Sequence, residues 1–154
     1  PHVQMQDMIE TPFRTLRSRE GGTFDMKPRS NAYEQLRILD LHACINAVTL
    51  PGETVQFNLE LDDPIADWLP ADAGWKGISG SYRVTLGPAS SVEDGTDSSI
   101  PTLTASVGAL SRLWIGARSA ASLNISDDFR CAPELCDAID RVMRLPRPIT
   151  DWDA

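Results

Sequence analysis

The chain has 154 residues, of which 42% are hydrophobic and 23% charged, as in an ordinary soluble globular domain rather than a disordered or fibrous protein. Its 22 acidic residues outnumber its 14 basic ones, and a formal net charge of -8 makes nucleic acid an unexpected partner, because such a surface repels phosphate. No apolar run approaches the roughly 20 residues that span a bilayer, so we expect no membrane span.

Residues 1–32 are polar and are interpreted as either a lead-in to the domain or an interdomain arm. The chain starts at Pro1, without a signal peptide or an initiator methionine, and we expect it to be a fragment cut from a longer polypeptide. Apolar residues from Met5 to Leu16 fall near helical spacing, so the arm either packs on the domain or leads to a neighbouring one.

Two elements are predicted at the start of the domain. Residues 33–40 contain several large apolar side chains and are predicted to form a strand. Asp40 is a suitable N-cap for a helix over residues 41–48, since an aspartate at this position accepts a hydrogen bond from the first helical turn. Pro51 and Gly52 end that helix.

Three strands follow in the middle of the chain. Residues 54–62 alternate apolar with polar side chains, which is typical of a strand with one buried face, and residues 79–86 repeat the pattern. The loop between them is rich in Trp, Ala and Asp. A short strand is predicted near Val92, before a turn at Asp94 and Gly95.

The stretch from Pro101 to Leu123 predicts a strand, a helix, a break and a second helix. Residues 102–107 have strand alternation, after which apolar residues recur at helical spacing until Gly116 stops the helix. Ser119 can cap the next short helix. A last helix begins at Pro133 and ends before Pro146, and residues 148–154 form an extended tail.

Antiparallel strands with helices mainly on one face and one crossover predict an α+β sandwich. The three cysteines lack any paired CxxC spacing, and we expect free, buried thiols at Cys44, Cys131 and Cys136, as in a reducing compartment. Cys131 and Cys136 could be joined only if the segment between them bends suitably. The cytoplasm is the expected location.

The short signatures of nucleotide, zinc and acyl-transfer chemistry are missing, and we expect no metal site. His42 and Cys44 lie two positions apart on a predicted helix, where side chains do not face each other, so they are not expected to form a catalytic pair. The acidic loop around Asp62, Asp63, Asp67 and Asp72 lacks calcium-loop spacing and is interpreted as solvated.

Four tryptophans are the more informative residues, because indoles can line a crevice or anchor an interface. Trp114 is expected to pack in the core. Trp68 and Trp75 lie in or beside a loop, and the alternatives of an apolar crevice and a neighbouring domain both remain open for them.

The order of elements resembles the sterol-carrier-like domain that closes the Eis-type GNAT acetyltransferases. The resemblance rests on Leu113, Trp114, Ile115 and Gly116 ahead of the small-residue helix 119–123, and it extends over residues 33–147. It implies a twisted, mainly antiparallel sheet of about five strands packed against helices, with an apolar crevice between them. The expected walls of that crevice are Val55, Phe57, Leu59, Trp68, Trp75, Leu110, Leu113 and Trp114.

The resemblance also implies that catalysis resides mainly in another domain of the same polypeptide. No segment of the chain resembles the acetyl-CoA pyrophosphate loop, so acetyl-CoA would bind a GNAT domain that precedes this one in the same polypeptide. In that family the carboxylate at the end of the chain acts as general base, and here this group would be the carboxylate of Ala154. Members of the family tend to end on an aromatic residue, whereas in this chain two residues follow Trp152. The acidic field suits a cationic amine substrate.

We therefore expect a non-catalytic C-terminal domain of an Eis-like N-acetyltransferase, which contributes to the amine-substrate cleft and to homo-oligomer contacts. The alternative is a free-standing carrier that binds a hydrophobic lipid or sterol-like molecule. A plain interaction module is a third hypothesis.

Overall fold

The structure is a computed structural model that describes residues 36–146. The predicted arm, the first part of the strand predicted over residues 33–40, and the C-terminal tail lie outside the described residues. None of the described helices is long and apolar enough to cross a membrane.

The described chain contains four helices and five strands. The helices are α1 (Leu41–Asn46), α2 (Val107–Trp114), α3 (Ala120–Ser126) and α4 (Pro133–Val142). The strands are β1 (Val55–Asp62), β2 (Gly80–Leu86), β3 (Ser91–Asp94), β4 (Thr102–Ser106) and β5 (Phe129–Arg130). A 3-10 helix, Pro64–Trp68, follows β1 directly.

The strands form one sheet in the order β3-β2-β1-β4-β5. All neighbouring pairs are antiparallel except β1 and β4, which pair in parallel with Leu59 opposite Leu103. A parallel pair needs a crossover connection, which here includes β2 and β3. The predicted α+β architecture, a mainly antiparallel five-stranded sheet with one crossover, is confirmed.

The core lies on one face of the sheet. Alternate side chains of β1, at Phe57, Leu59 and Leu61, are buried, and the register places them beside buried residues of β2 and β4. These side chains form one hydrophobic cluster with the buried sides of all four helices. The strict alternation in the sequence therefore reflects a sheet with one covered face.

The predicted caps at Asp40 and Ser119 and the stop at Gly116 are confirmed, whereas α1 already ends at Asn46, ahead of Pro51 and Gly52. Asp40 accepts a hydrogen bond from Ala43 N at 2.9 Å, and Ser119 accepts one from Ser122 N at 3.2 Å. Pro133 occupies the first turn of α4. Gly116 ends α2 with a φ of +75°, a conformation that glycine adopts without steric penalty.

Two expectations about the elements are wrong. Residues 36–39 do not form a strand: the backbone N–H of Ile38 donates to the Ser111 hydroxyl at 3.1 Å instead of to a neighbouring strand. Conversely, Phe129 and Arg130 form the short edge strand β5, which was not predicted from the sequence. A two-residue strand is too short to produce a detectable alternation.

The expectation of free thiols is wrong for two of the three cysteines. Cys131 and Cys136 form a disulfide, with their Cα atoms 6.0 Å apart, and Cys44 is free. The required bend comes from the change from β5 to α4, where Pro133 starts the helix and brings Cys136 back over Cys131. The inference of a reducing compartment from free thiols accordingly loses its basis.

Candidate functional site

A cavity of about 550 Å³, which is widely open to solvent, lies beside the first turn of α1. Its walls come from the segment that precedes α1, from α1 itself, from the loop that leads into β2, and from β2. The lining residues are Leu39, Asp40, Leu41, His42, Trp75, Gly77, Ile78 and Tyr82. Pockets of roughly 300 to 1,000 Å³ with mostly apolar walls and a few polar groups are typical of small-molecule sites.

Trp75 forms one wall of this cavity and is held on two sides. Its indole N–H donates to the Leu39 carbonyl at 3.1 Å, and the Arg37 guanidinium lies 5.6 Å from the ring centroid. At this distance the cation is attracted to the aromatic face. The side chain is nevertheless 39% exposed, so part of the ring remains free for contact.

Asp63 anchors the loop behind that wall. It is buried, and its carboxylate accepts hydrogen bonds from the Ile78 N–H at 2.9 Å and the Ile65 N–H at 3.2 Å. Arg37 forms an ion pair with both carboxylate oxygens. Burial alone would raise the pKa of Asp63, but the hydrogen bonds from Ile78, Arg37 and Ile65 and the Arg37 charge outweigh it and hold this pKa below its ordinary value.

Gly77 allows the loop to approach Asp63 closely. Its φ is +90°, and a Cβ atom at this position would lie 2.5 Å from Asp63 Oδ2 and 2.6 Å from Ile65 Cγ2. Both the backbone conformation and the lack of space therefore require glycine here.

Tyr82 and His42 form the other side of the cavity. The Tyr82 hydroxyl donates to the Ile78 carbonyl at 2.9 Å, and the His42 ring meets the Tyr82 ring edge-on at a centroid distance of 5.8 Å. His42 Nε2 lies 3.5 Å from Asp94 Oδ1. Burial, followed by the negative charges of Asp94 and Asp63, raises the pKa of Tyr82.

The residues predicted to line a crevice are distributed over three environments. Four are buried in the core, where they pack within one cluster: Phe57, Leu59, Leu110 and Leu113. Val55 and Trp114 are partly buried against that cluster. Trp68 is 82% exposed on the 3-10 helix, and Trp75 lines the cavity. The crevice between sheet and helices stays a prediction, as does the role of Ala154, which lies outside the described residues.

Residues with catalytic potential are sparse in the described part of the chain. Within residues 36–146 no three His, Cys, Asp or Glu side chains are grouped so that they could hold a metal ion. Burial, and then the negative charge of Asp40, raises the pKa of Cys44, which leaves its thiol protonated and weakly nucleophilic. The arrangement around the cavity can bind a molecule, but it offers no nucleophile paired with a base.

Only part of this site could be recognised from local sequence patterns. Asp63, which precedes a proline after a strand, carries the signature of a helix N-cap, and its side chain does accept the Ile65 N–H. Its second role, as the partner of Arg37 across 26 residues, depends on tertiary contacts that have no local pattern. Gly77 has no distinguishing sequence context either.

Comparison with known proteins gives a consistent result for the fold. A family model described as a sterol carrier protein domain matches residues 41–151. No curated protein matches the chain at a significant level.

Several solved structures share the fold. A conserved protein of unknown function from Enterococcus faecalis, titled a probable N-acyltransferase, is 20% identical with a TM-score of 0.55, over 72% of this chain and 25% of that one. GCN5-related N-acetyltransferases from Anabaena variabilis and Kribbella flavida are 17% and 23% identical, with TM-scores of 0.56 and 0.55, over 73% of this chain and 26% of theirs. The chain thus spans about a quarter of the length of each.

Proposed function

Because the chain belongs to the sterol carrier protein domain family, we propose that it is the C-terminal, non-catalytic domain of an Eis-like N-acetyltransferase. In this role it contributes one wall of the amine-substrate cleft and contacts between subunits. Acetyl-CoA binds the GNAT domain that precedes it in the same polypeptide.

One observation carries this proposal. Of three solved chains with this fold, one is described as a probable N-acyltransferase and two as GCN5-related N-acetyltransferases, and in each of them the matching region is about a quarter of the chain. A domain that occupies a quarter of a longer polypeptide leaves room for a separate catalytic domain. Sequence identities of 17 to 23% support a common fold alone. The acetyltransferase activity of the full polypeptide therefore has to be tested by experiment.

The described residues are consistent with a supporting role. Within residues 36–146, the buried carboxylate of Asp63 forms an ion pair with Arg37 and accepts a hydrogen bond from the loop at Ile78. This carboxylate therefore has a structural role and is not available for proton transfer. The net charge of -8 attracts cationic amines over distances of about a Debye length. A field of this sign raises the local concentration of amine substrate without any catalytic group in this domain.

The test compares this 154-residue chain with the full polypeptide encoded by its gene. We expect the full polypeptide to bind acetyl-CoA in calorimetry and to release CoA when an amine acceptor is added, whereas this chain alone does neither. A native polypeptide of only 154 residues would overturn the proposal. So would acetyl-CoA binding by this chain alone.

The proposal extends to the carboxylate of Ala154 as general base where this residue ends the native polypeptide. One glycine appended after Ala154 moves the carboxylate by about 3.8 Å, the spacing of consecutive Cα atoms. We expect kcat of the full polypeptide to fall roughly 100-fold or more, as for the loss of a general base. The control is Ala154→Gly, which keeps the carboxylate in place; equal kcat values for both variants would contradict the role.

The alternative function, a carrier of a hydrophobic lipid or sterol-like molecule, needs space between the sheet and the helices. Phe57, Leu59, Leu110 and Leu113 fill that space in the described residues. Titration of this chain with fatty-acyl or sterol ligands, followed by tryptophan emission, tests the carrier. A flat titration at micromolar ligand would count against it.

A further inference from the structure

The cavity beside α1 has walls that are fixed before any ligand arrives. Leu39 is tied to Trp75 through the indole hydrogen bond, and the preceding residue, Ile38, is tied to α2 through Ser111. Arg37 joins the same segment to Asp63, whose carboxylate also holds Ile78. A binding site that is already ordered loses little entropy when it is filled.

Its surface includes exposed apolar and aromatic side chains. Leu39 is 60% exposed and Trp75 is 39% exposed, and both belong to the cavity lining. Tyr82 and Ile78 add buried surface behind them. A flat ring can lie against these groups and remove their apolar area from water.

Hydrogen-bond acceptors lie on one side of the cavity. Asp40 and His42 lie on the lining, and Asp94 lies 3.5 Å from His42. Carboxylates only accept hydrogen bonds when they are ionised, and neutral histidine has one acceptor nitrogen. The Arg37 charge is taken up by Asp63. The cavity therefore favours a ligand that donates hydrogen bonds and disfavours an anion.

We propose that this cavity is a binding site for a small aromatic molecule that carries a hydrogen-bond donor group and is neutral or cationic. The ring lies against Trp75 and Leu39, and the donor group faces Asp40 and His42. Such a ligand differs in size and polarity from a sterol or an acyl chain, and its site lies outside the core cluster.

The first experiment compares probes that share a phenol ring and differ in charge. Tyramine is a cation, 4-ethylphenol is neutral and 4-hydroxyphenylacetate is an anion. In calorimetric titrations of this chain at low salt, we expect the first two to bind at least tenfold more tightly than the anion. Butylamine, which has the charge without the ring, should not bind measurably.

The second experiment localises the binding with a matched pair of tryptophan variants. Trp75→Ala removes the indole of the cavity and should weaken tyramine and 4-ethylphenol binding at least tenfold. Trp68→Ala removes an indole that is exposed on the 3-10 helix and does not line the cavity, so binding should stay within twofold. Circular dichroism checks that both variants are folded.

Leu39→Lys keeps the proposal testable if Trp75→Ala fails to fold, since the Leu39 side chain is largely exposed. The added cation should weaken tyramine binding and strengthen 4-hydroxyphenylacetate binding, which reverses their order. Three results would overturn the proposal: no binding of any ring-bearing probe, an anion that binds as tightly as tyramine, or equal losses in the two tryptophan variants.

Discussion

At the scale of single residues, Asp63 links three parts of the structure through one carboxylate. It receives the Ile78 N–H of the loop before β2, the Ile65 N–H of the 3-10 helix, and the guanidinium of Arg37 from the segment before α1. Its side chain is fully buried, while that of Arg37 is partly exposed. Removal of the charge therefore leaves donors without an acceptor, which is more destabilising than the loss of a surface ion pair.

We expect Asp63→Asn to lower the free energy of unfolding by about 2 to 4 kcal/mol at pH 7, because one partner of a buried, hydrogen-bonded ion pair is lost. The pKa of Asp63 is below its ordinary value of 3.8 in the folded state. Its ionisation thus stabilises the fold fully above about pH 4, and this contribution disappears as the pH falls through the lower, folded-state pKa.

Urea unfolding at a series of pH values measures this effect. The difference between wild type and Asp63→Asn should be largest at neutral pH and should shrink below pH 3.8. Asp67→Asn is the control, since Asp67 lies four residues later on the exposed side of the same 3-10 helix. A difference that does not change with pH would contradict the lowered pKa.

Gly77→Ala tests the close approach of the loop to Asp63. The new Cβ would lie 2.5 Å from the carboxylate oxygen, on a backbone with a φ of +90°. We expect a loss of about 3 kcal/mol in urea unfolding, of which roughly 1 to 2 kcal/mol is the backbone penalty alone. Gly95→Ala isolates that penalty, because Gly95 has a φ of +100° and no atom within 4 Å of the added Cβ. Equal losses in both variants would refute the steric contribution.

Contacts between residues close together in sequence could be predicted, whereas contacts between residues far apart in sequence could not. The caps at Asp40 and Ser119 and the stop at Gly116 follow from residue types next to an element, and the structure confirms them. The pairing of Arg37 with Asp63 joins residues 26 positions apart, so it could not be inferred from neighbouring residues. The disulfide was missed because its closure depends on the path of the backbone.

At the scale of elements, the outward face of β1 carries a polar residue that organises the connection to β4. Asn58 is buried and donates from Nδ2 to the carbonyls of Asp97, at 2.7 Å, and Ile100, at 3.2 Å. Its Oδ1 accepts the Asp97 N–H at 2.8 Å. The amide thus fixes the last part of the crossover, which lets β4 enter the sheet parallel to β1.

Asn58→Leu should therefore reduce stability although it makes β1 more apolar. The three hydrogen bonds to Asp97 and Ile100 are lost and partly buried backbone groups of the loop are left unpaired, for which we expect a loss of about 2 to 3 kcal/mol in chemical denaturation. Hydrogen exchange should become faster at residues 97–100. Gln56→Leu is the matched control on the same face, because Gln56 is exposed and bonds only the Thr85 hydroxyl, at 3.2 Å, among the described contacts. A smaller loss for Asn58→Leu than for the control would contradict this role.

The strands and helices with a clear period were predictable, and the exceptions share a cause. Five elements bury one face and expose the other: β1, β2, β4, α2 and α4. Apolar residues therefore recur in their sequences with the period of a strand or of a helix. Residues 36–39 contain apolar side chains without a strand, since Leu36 and Leu39 remain exposed. Apolar content without periodicity was therefore an unreliable guide to a strand in this chain.

At the scale of the whole molecule, residues far apart in sequence belong to a single core. The buried cluster contains residues of every strand and of all four helices. Phe129 shows how completely the core is closed: it lies in the edge strand β5, yet its side chain has no exposed surface. The period of the sequence predicted which faces are buried, but the order of the strands depends on the crossover and could be expected only from the family resemblance.

A single core should unfold in a single step, and Phe129→Ala is the sharpest test. We expect a loss of about 3 to 5 kcal/mol, because a large buried ring is replaced by a cavity. Ile125→Ala, four residues earlier, should change the free energy of unfolding by no more than about 0.5 kcal/mol, since Ile125 is 87% exposed.

Whether the core unfolds cooperatively depends on which elements Phe129→Ala destabilises. Transitions followed by far-UV circular dichroism and by tryptophan emission should coincide. In native-state hydrogen exchange, the slowest amides of β2, which is separated from β5 by the two strands β1 and β4, should lose as much protection as those of β5 and α4. Loss of protection confined to β5 and α4 would mean that this end of the sheet unfolds separately, because a cavity in a cooperative core weakens every element that the core holds together.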